Sequence, residues 1–124
     1  MQLVKKIILS AVMATVSLTA VAEATGEAKV REAAEGTIVK IEEAVKLAEE
    51  GRDSAEISLA INAARQLQKE FRYEGTERQR QKANDQLRIA RDGFATDKVV
   101  ALAKLKEALA SFVDMKKIYD ASHK

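Results

Sequence analysis

The stretch Asp97–Asp120 reads DKVVALAKLKEALASFVDMKKIYD. Its apolar residues Val99, Leu102, Leu105, Leu109, Phe112, Met115 and Tyr119 recur at steps of three and four, the spacing of one α-helical face. Lysines, glutamate and aspartates fill positions between them, and neither proline nor glycine interrupts the run. A strand would instead alternate with period two. Thr96 is the expected N-cap.

The same spacing continues toward the N-terminus. Glu77–Asp92 opens with Thr76-Glu77-Arg78-Gln79, a capping-box pattern, and offers Ala83, Leu87, Ala90 and Ile89 to a core. Its first seven residues contain one apolar side chain, so this helix begins polar. Ser54–Arg72 carries Ile57, Ile61, Ala64, Leu67 and Phe71 on one stripe. Asp53 stands as its cap, accepting from the Glu56 amide, with Glu56 reaching back. Ala28–Glu50 carries Val30, Ala34, Ile38, Ile41, Val45 and Ala48. Gly36 inside that segment weakens it by about 1 kcal/mol relative to alanine, which predicts fraying before Thr37.

Gly51, Gly75 and Gly93 punctuate the chain, leaving short connections between the segments. Short connections favour antiparallel neighbours. The expected fold is all-α, an up-down four-helix bundle built from two helical hairpins. Glu43–Arg72 aligns without gaps on Asp85–Asp114, with Gly51 meeting Gly93, Ala48 meeting Ala90 and Leu67 meeting Leu109. The helix-three start is polar enough to leave the core incomplete, so both a monomer and a homodimer are consistent with the pattern.

Composition agrees. The chain has 124 residues, no Cys, no Pro and 4% aromatic residues, with 32% charged. Those values fit one small helical domain and exclude a disulfide scaffold or a thiolate site. The first residues read differently. Lys5 and Lys6 precede an uncharged apolar run from Ile7 to Ala22, which ends in Ala20-Val21-Ala22, followed by Ala22-Glu23-Ala24. A basic start, a short apolar stretch and small-x-small sites describe a secretory signal peptide over residues 1–22, cleaved after Ala22 or Ala24. The run falls short of the roughly 20 residues of a bilayer span. The expected mature domain is 23–124, exported to the periplasm or secreted, with no transmembrane anchor. Loss of Lys5 and Lys6 leaves 19 basic and 19 acidic residues from Glu23 onward, so the mature chain is not a basic protein.

Two segments, Glu43-Ala44-Val45-Lys46-Leu47-Ala48-Glu49-Glu50-Gly51 and Arg91-Asp92-Gly93-Phe94-Ala95-Thr96, with the alanine-rich helices after each glycine, carry a resemblance. They resemble the small periplasmic metal-binding proteins made of repeated helical hairpins. That resemblance implies a four-helix bundle in the periplasm that binds several divalent metals, copper among them, through histidines in His-Ala pairs; the cofactor expected of this chain is at most a divalent metal, copper or nickel. At the matching positions this chain has Leu47-Ala48, Leu59-Ala60 and Ile89-Ala90, with Arg52 or Phe94 after the turn glycine.

Candidate sites are few. His123 is the single histidine, and Asp120 lies three residues before it, so these two carry any metal site. A solvated chain end is the alternative reading. Haem would need an axial His or Met inside the bundle, and Met115, the sole internal Met of the mature domain, reads as core filler. The Glu-x-x-His pairs of carboxylate di-metal sites do not occur. Glu42, Glu43, Glu49, Glu50 and Asp53 cluster at the first turn, but Lys40, Lys46 and Arg52 interleave with them, as on a solvated face. No nucleophile–base arrangement, nucleophile elbow or phosphate loop is present, so the chain reads as non-enzymatic.

The main charge asymmetry lies in Arg65–Arg91, which has eight bases against four acids. Arg72, Arg78, Arg80 and Lys82 form the candidate interaction surface. Its expected partner is an envelope protein or an anionic surface, since export argues against nucleic acid. An envelope protein-interaction or stress and chaperone-like role without metal is the alternative to metal binding.

Overall fold

A computed structural model describes residues 26–123. The expected signal peptide and both of its cleavage positions lie outside the described residues. Among the described residues there are four helices: α1 (Gly26–Glu49), α2 (Ser54–Leu67), α3 (Glu77–Gly93) and α4 (Lys98–Ser122). Two short 3-10 turns, Gln68–Glu70 and Glu74–Thr76, join α2 to α3. α1 packs against α2 and α4, and α3 against α4 and α2, with each helix antiparallel to the next. The result is the up-down four-helix bundle of two hairpins. Among the described residues no helix is long and apolar enough to cross a membrane.

Local signals place the helix ends. Gly51 takes φ 72°, a left-handed conformation that glycine adopts without strain. Its amide donates to the Ala48 carbonyl at 3.1 Å and the Arg52 amide donates to the Leu47 carbonyl at 2.9 Å. That pair of bonds is the Schellman closure of α1. Asp53 caps α2, but its Oδ1 accepts from the Ala55 amide at 3.2 Å rather than from that of Glu56. The Glu56 carboxylate turns to Arg52 instead, at 3.0 Å. Asp97, one residue past the expected Thr96, caps α4 and accepts from the Val100 amide at 3.2 Å. The Thr96 hydroxyl is spent on the Gly93 carbonyl. Thr76 precedes α3 without making a side-chain cap.

Small residues occupy the centre of the bundle. Ala33, Ala34, Ala44, Ala60, Ala64, Ala83, Ala90, Ala101 and Ala108 are all buried. The larger buried groups, among them Ile41, Ile61, Phe71, Leu87, Leu105, Phe112 and Met115, interlock between them. This shifts the buried stripe from the expected one. On α1, Val30, Ile38, Val45 and Ala48 sit at the margins, while Ala33, Thr37 and Ala44 take the middle with Ile41. Alanines pack helices closely, so the longer side chains seal the seams to the flanking helices. On α4 the same logic puts Ala101 and Ala108 inside and Leu102 and Leu109 at the edges. Val99 is 81% exposed because it lies in the first turn of α4.

Four polar residues, Thr37, Gln68, Thr76 and Arg80, are buried and escape the apolar count. Thr37 is fully buried, and its hydroxyl donates to the Ala33 carbonyl at 2.7 Å. Gln68 is buried under the α2–α3 connection. α1 runs without a break through Gly36, the expected point of fraying. Gly36 faces Leu67, whose Cδ1 would lie 3.2 Å from an added Cβ.

Candidate functional site

The candidate residues lie in two places: the end of the bundle where α4 finishes beside the α2–α3 connection, and the start of α3. At the bundle end α4 stays helical to Ser122, so His123 is held rather than free. The His123 ring stacks on Tyr119, with centroids 3.9 Å apart and planes 14° apart. Tyr73 meets both rings edge-on, at 5.2 Å from Tyr119 and 5.1 Å from His123. Phe71 closes the cluster from inside, 6.2 Å from Tyr119. The Tyr73 hydroxyl lies 3.1 Å from the Ser122 hydroxyl.

Arg31 of α1 ties this end together. Its Nε donates to Asp120 Oδ1 at 3.0 Å, and its Nη2 donates to the His123 carbonyl. Its guanidinium carbon sits 5.6 Å from the Tyr119 ring centre, within cation–π range. Lys116 takes the other Asp120 oxygen at 2.7 Å. These contacts hold the Asp120 carboxyl below the ordinary aspartate range, the Lys116 hydrogen bond first and that of Arg31 second. Burial pushes the Tyr119 phenol up, with the charge of Glu27 adding to it.

Asp120 and His123 therefore share one end of the bundle, but both carboxylate oxygens already accept from cations. A divalent ion there would have to displace Lys116 and Arg31 or bear their repulsion. His123 Nδ1 lies 2.8 Å from the Tyr119 carbonyl, which can only accept, so Nδ1 is the donor and this contact does not use Nε2. Among the described residues no three His, Asp or Glu side chains are grouped as metal ligands.

The start of α3 divides the four cations proposed for an interaction surface. Arg80 is 8% exposed and points inward. It donates to Glu77 through Nε and Nη2 and to Gln68 Oε1 through Nη1. Gln68 Nε2 in turn donates to the Arg65 carbonyl at 2.9 Å. The Arg80 bonds hold the Glu77 carboxyl below its ordinary value. Arg80 thus belongs to a clamp across the α2–α3 connection and not to the surface. The cause is the polar first turn of α3, which must bury part of itself against Gln68 and can do so only with its charge matched. Arg72 remains exposed, 3.6 Å from Glu77. Arg78 and Lys82, one turn apart, are exposed and have no ion-pair partner among the described residues.

Beside Lys82 runs a polar groove between α3 and α4 of about 460 Å³. Gln79 spans it, donating to the Ser111 hydroxyl at 3.2 Å and to Asp114 at 3.1 Å. The acidic cluster at the first turn is dispersed: Glu43 pairs with Lys40 and Glu49 with Lys106, while Asp53 serves as a cap. Sequence reasoning missed Arg31 and Gln68, and placed Tyr73 only as an aromatic near the α2–α3 turn. Only the Tyr119–His123 spacing, i and i+4 on one helix, signalled that the chain end could be held. No protein-family profile, curated protein or solved structure matches the chain.

Proposed function

We propose that the chain is an exported, non-enzymatic binding module of the periplasm that presents the basic start of α3 to an anionic envelope partner. The observation that carries this reading is the contrast between two sets of cations. Arg31 and Lys116 are already paired, both with Asp120 and Lys116 also with Glu35, whereas Arg78 and Lys82 project into solvent without a counter-ion among the described residues. Exposed cations of this kind attract anions over a Debye length of about 10 Å at 0.1 M salt. Export is supported by the sequence of residues 1–22 alone.

The test uses Arg78→Glu with Lys82→Glu. Wild-type protein recovered after export is expected to be retained on phosphatidylglycerol vesicles or on an acidic peptide matrix at low salt, and the double variant to elute early. Equal retention of the two overturns the reading. Mass analysis of the exported protein should show a new N-terminus at Glu23 or Thr25.

Metal binding, as in the family the helices resemble, is the second reading, and its support is the Nε2 of His123, which the Tyr119 contact does not use. Calorimetric titration with copper or nickel, with His123→Ala as control, tests it. Micromolar binding lost in the variant upholds it, and an absence of heat ends it.

A further inference from the structure

Charge is unevenly shared between the two hairpins. Residues 26–67 hold nine acids and six bases, while residues 68–123 hold nine acids and twelve bases. The mature protein is thus neutral as a whole but acidic on one layer and basic on the other. The surplus sits on groups free to use it. On α1, Glu32 and Glu42 are exposed with no ion-pair partner among the described residues, as Arg78 and Lys82 are on α3.

Apolar residues are exposed beside both sets. Val39, between Glu32 and Glu42 on α1, is 57% exposed, and Leu59 on the adjoining α2 is 72% exposed. Ile89 on α3 is 40% exposed. Lys82 to Ile89 and Glu32 to Val39 are each seven residues, so about 10.5 Å along a helix separates cation from apolar side chain on one face and carboxylate from apolar side chain on the other.

We infer that the anionic partner of the α3 face is the α1–α2 face of a second copy of this chain. This rests on the binding reading above and names its partner. The two surfaces are different patches of one molecule, so the contact is head-to-tail and each added copy leaves one acidic and one basic face open. Opposite net charge on the two faces steers the encounter, and salt weakens it.

Two double variants test the pairing: Arg78→Glu with Lys82→Glu, which leaves two acidic faces, and Glu32→Lys with Glu42→Lys, which leaves two basic ones. All four side chains are exposed and have no ion-pair partner among the described residues, so both variants should keep the wild-type melting profile. Sedimentation of the purified wild type at low salt should show a mass rising with concentration to at least twice that of the monomer, and falling back at high salt. Each variant alone should stay monomeric, and an equimolar mixture of the two should associate again. A wild type that stays monomeric at low salt overturns the inference, as does self-association of either variant at the wild-type level. A monomeric wild type that is still retained on anionic vesicles leaves the binding reading standing and removes only the second copy as its partner.

Discussion

The two ends of the bundle are held by different means. At the hairpin-turn end each closure is local: Gly51 bonds within five residues, Asp53 caps two residues ahead and Asp97 three. At the opposite end the ties reach further along the chain, from 12 to 92 residues. Arg31 reaches Asp120 and His123, Tyr73 reaches Ser122, and Arg80 reaches Gln68 across the connection. The turn end is a set of backbone conformations, and the other end is a set of side chains from distant segments. The first can form before the helices pair; the second exists only once they have.

The largest effect that would test this difference comes from Phe71→Ala. Phe71 is fully buried beneath Tyr119. Its loss should cost about 3–5 kcal/mol in denaturant unfolding, the range for truncating a buried aromatic. The aromatic stack above it should loosen as well, with Tyr119 and His123 ring resonances moving together. A cost under about 1 kcal/mol would mean that the distant ties add little.

Arg80→Met comes next. Methionine keeps the apolar stem but leaves Gln68 Oε1 and Glu77 without their donor. The expected cost is about 1–3 kcal/mol, because a buried acceptor is then left unmatched. The Glu77 carboxyl should also return toward the ordinary glutamate range, which NMR titration would follow. An unmoved Glu77 would show that the clamp is not what depresses it.

What could be read from the chain follows the same division. Gly51 and Asp53 were visible because glycine and aspartate signal turns and caps by their own chemistry. The error at Thr96 is a one-residue slip between two good capping residues, and neighbouring hydrogen bonds decided it in favour of Asp97. The four helices were legible from apolar spacing, but the centre of each stripe was not. Spacing does not say that alanines will take the middle when helices approach closely, as Ala101 and Ala108 do. Arg80 read as surface because arginine usually is, and its burial depends on Gln68, twelve positions earlier. The Arg31–Asp120 tie joins residues 89 apart, beyond any local pattern.

Gly51→Ala sharpens the local side of the comparison. Gly51 has open space around its Cα, so an added methyl meets nothing, and only the backbone conformation resists it. Holding alanine at φ 72° should cost about 1–2 kcal/mol. Hydrogen exchange should rise for the Gly51 and Arg52 amides while the Tyr119 region stays as protected as before. Loss of protection at both ends would show that they are coupled.

The smallest effect concerns Asp120→Asn, and its sign with pH is fixed. The Asp120 carboxyl is held below its ordinary value by Lys116 and then Arg31, so its contribution is present above the unfolded-state value, about 3.9, and is lost as pH falls through the folded one. Both partners and Asp120 itself are partly exposed, with 38% of the Asp120 side chain open to solvent. Solvent screening therefore limits the pair to about 0.2–1 kcal/mol at neutral pH. The difference in melting temperature between wild type and variant should be small at pH 7, shrink at high salt and vanish in strong acid, where both side chains are neutral. A difference that persists unchanged in acid would assign the effect to packing against the stacked Tyr119 and His123 rings, and the long-range tie at this end would then be steric and not ionic.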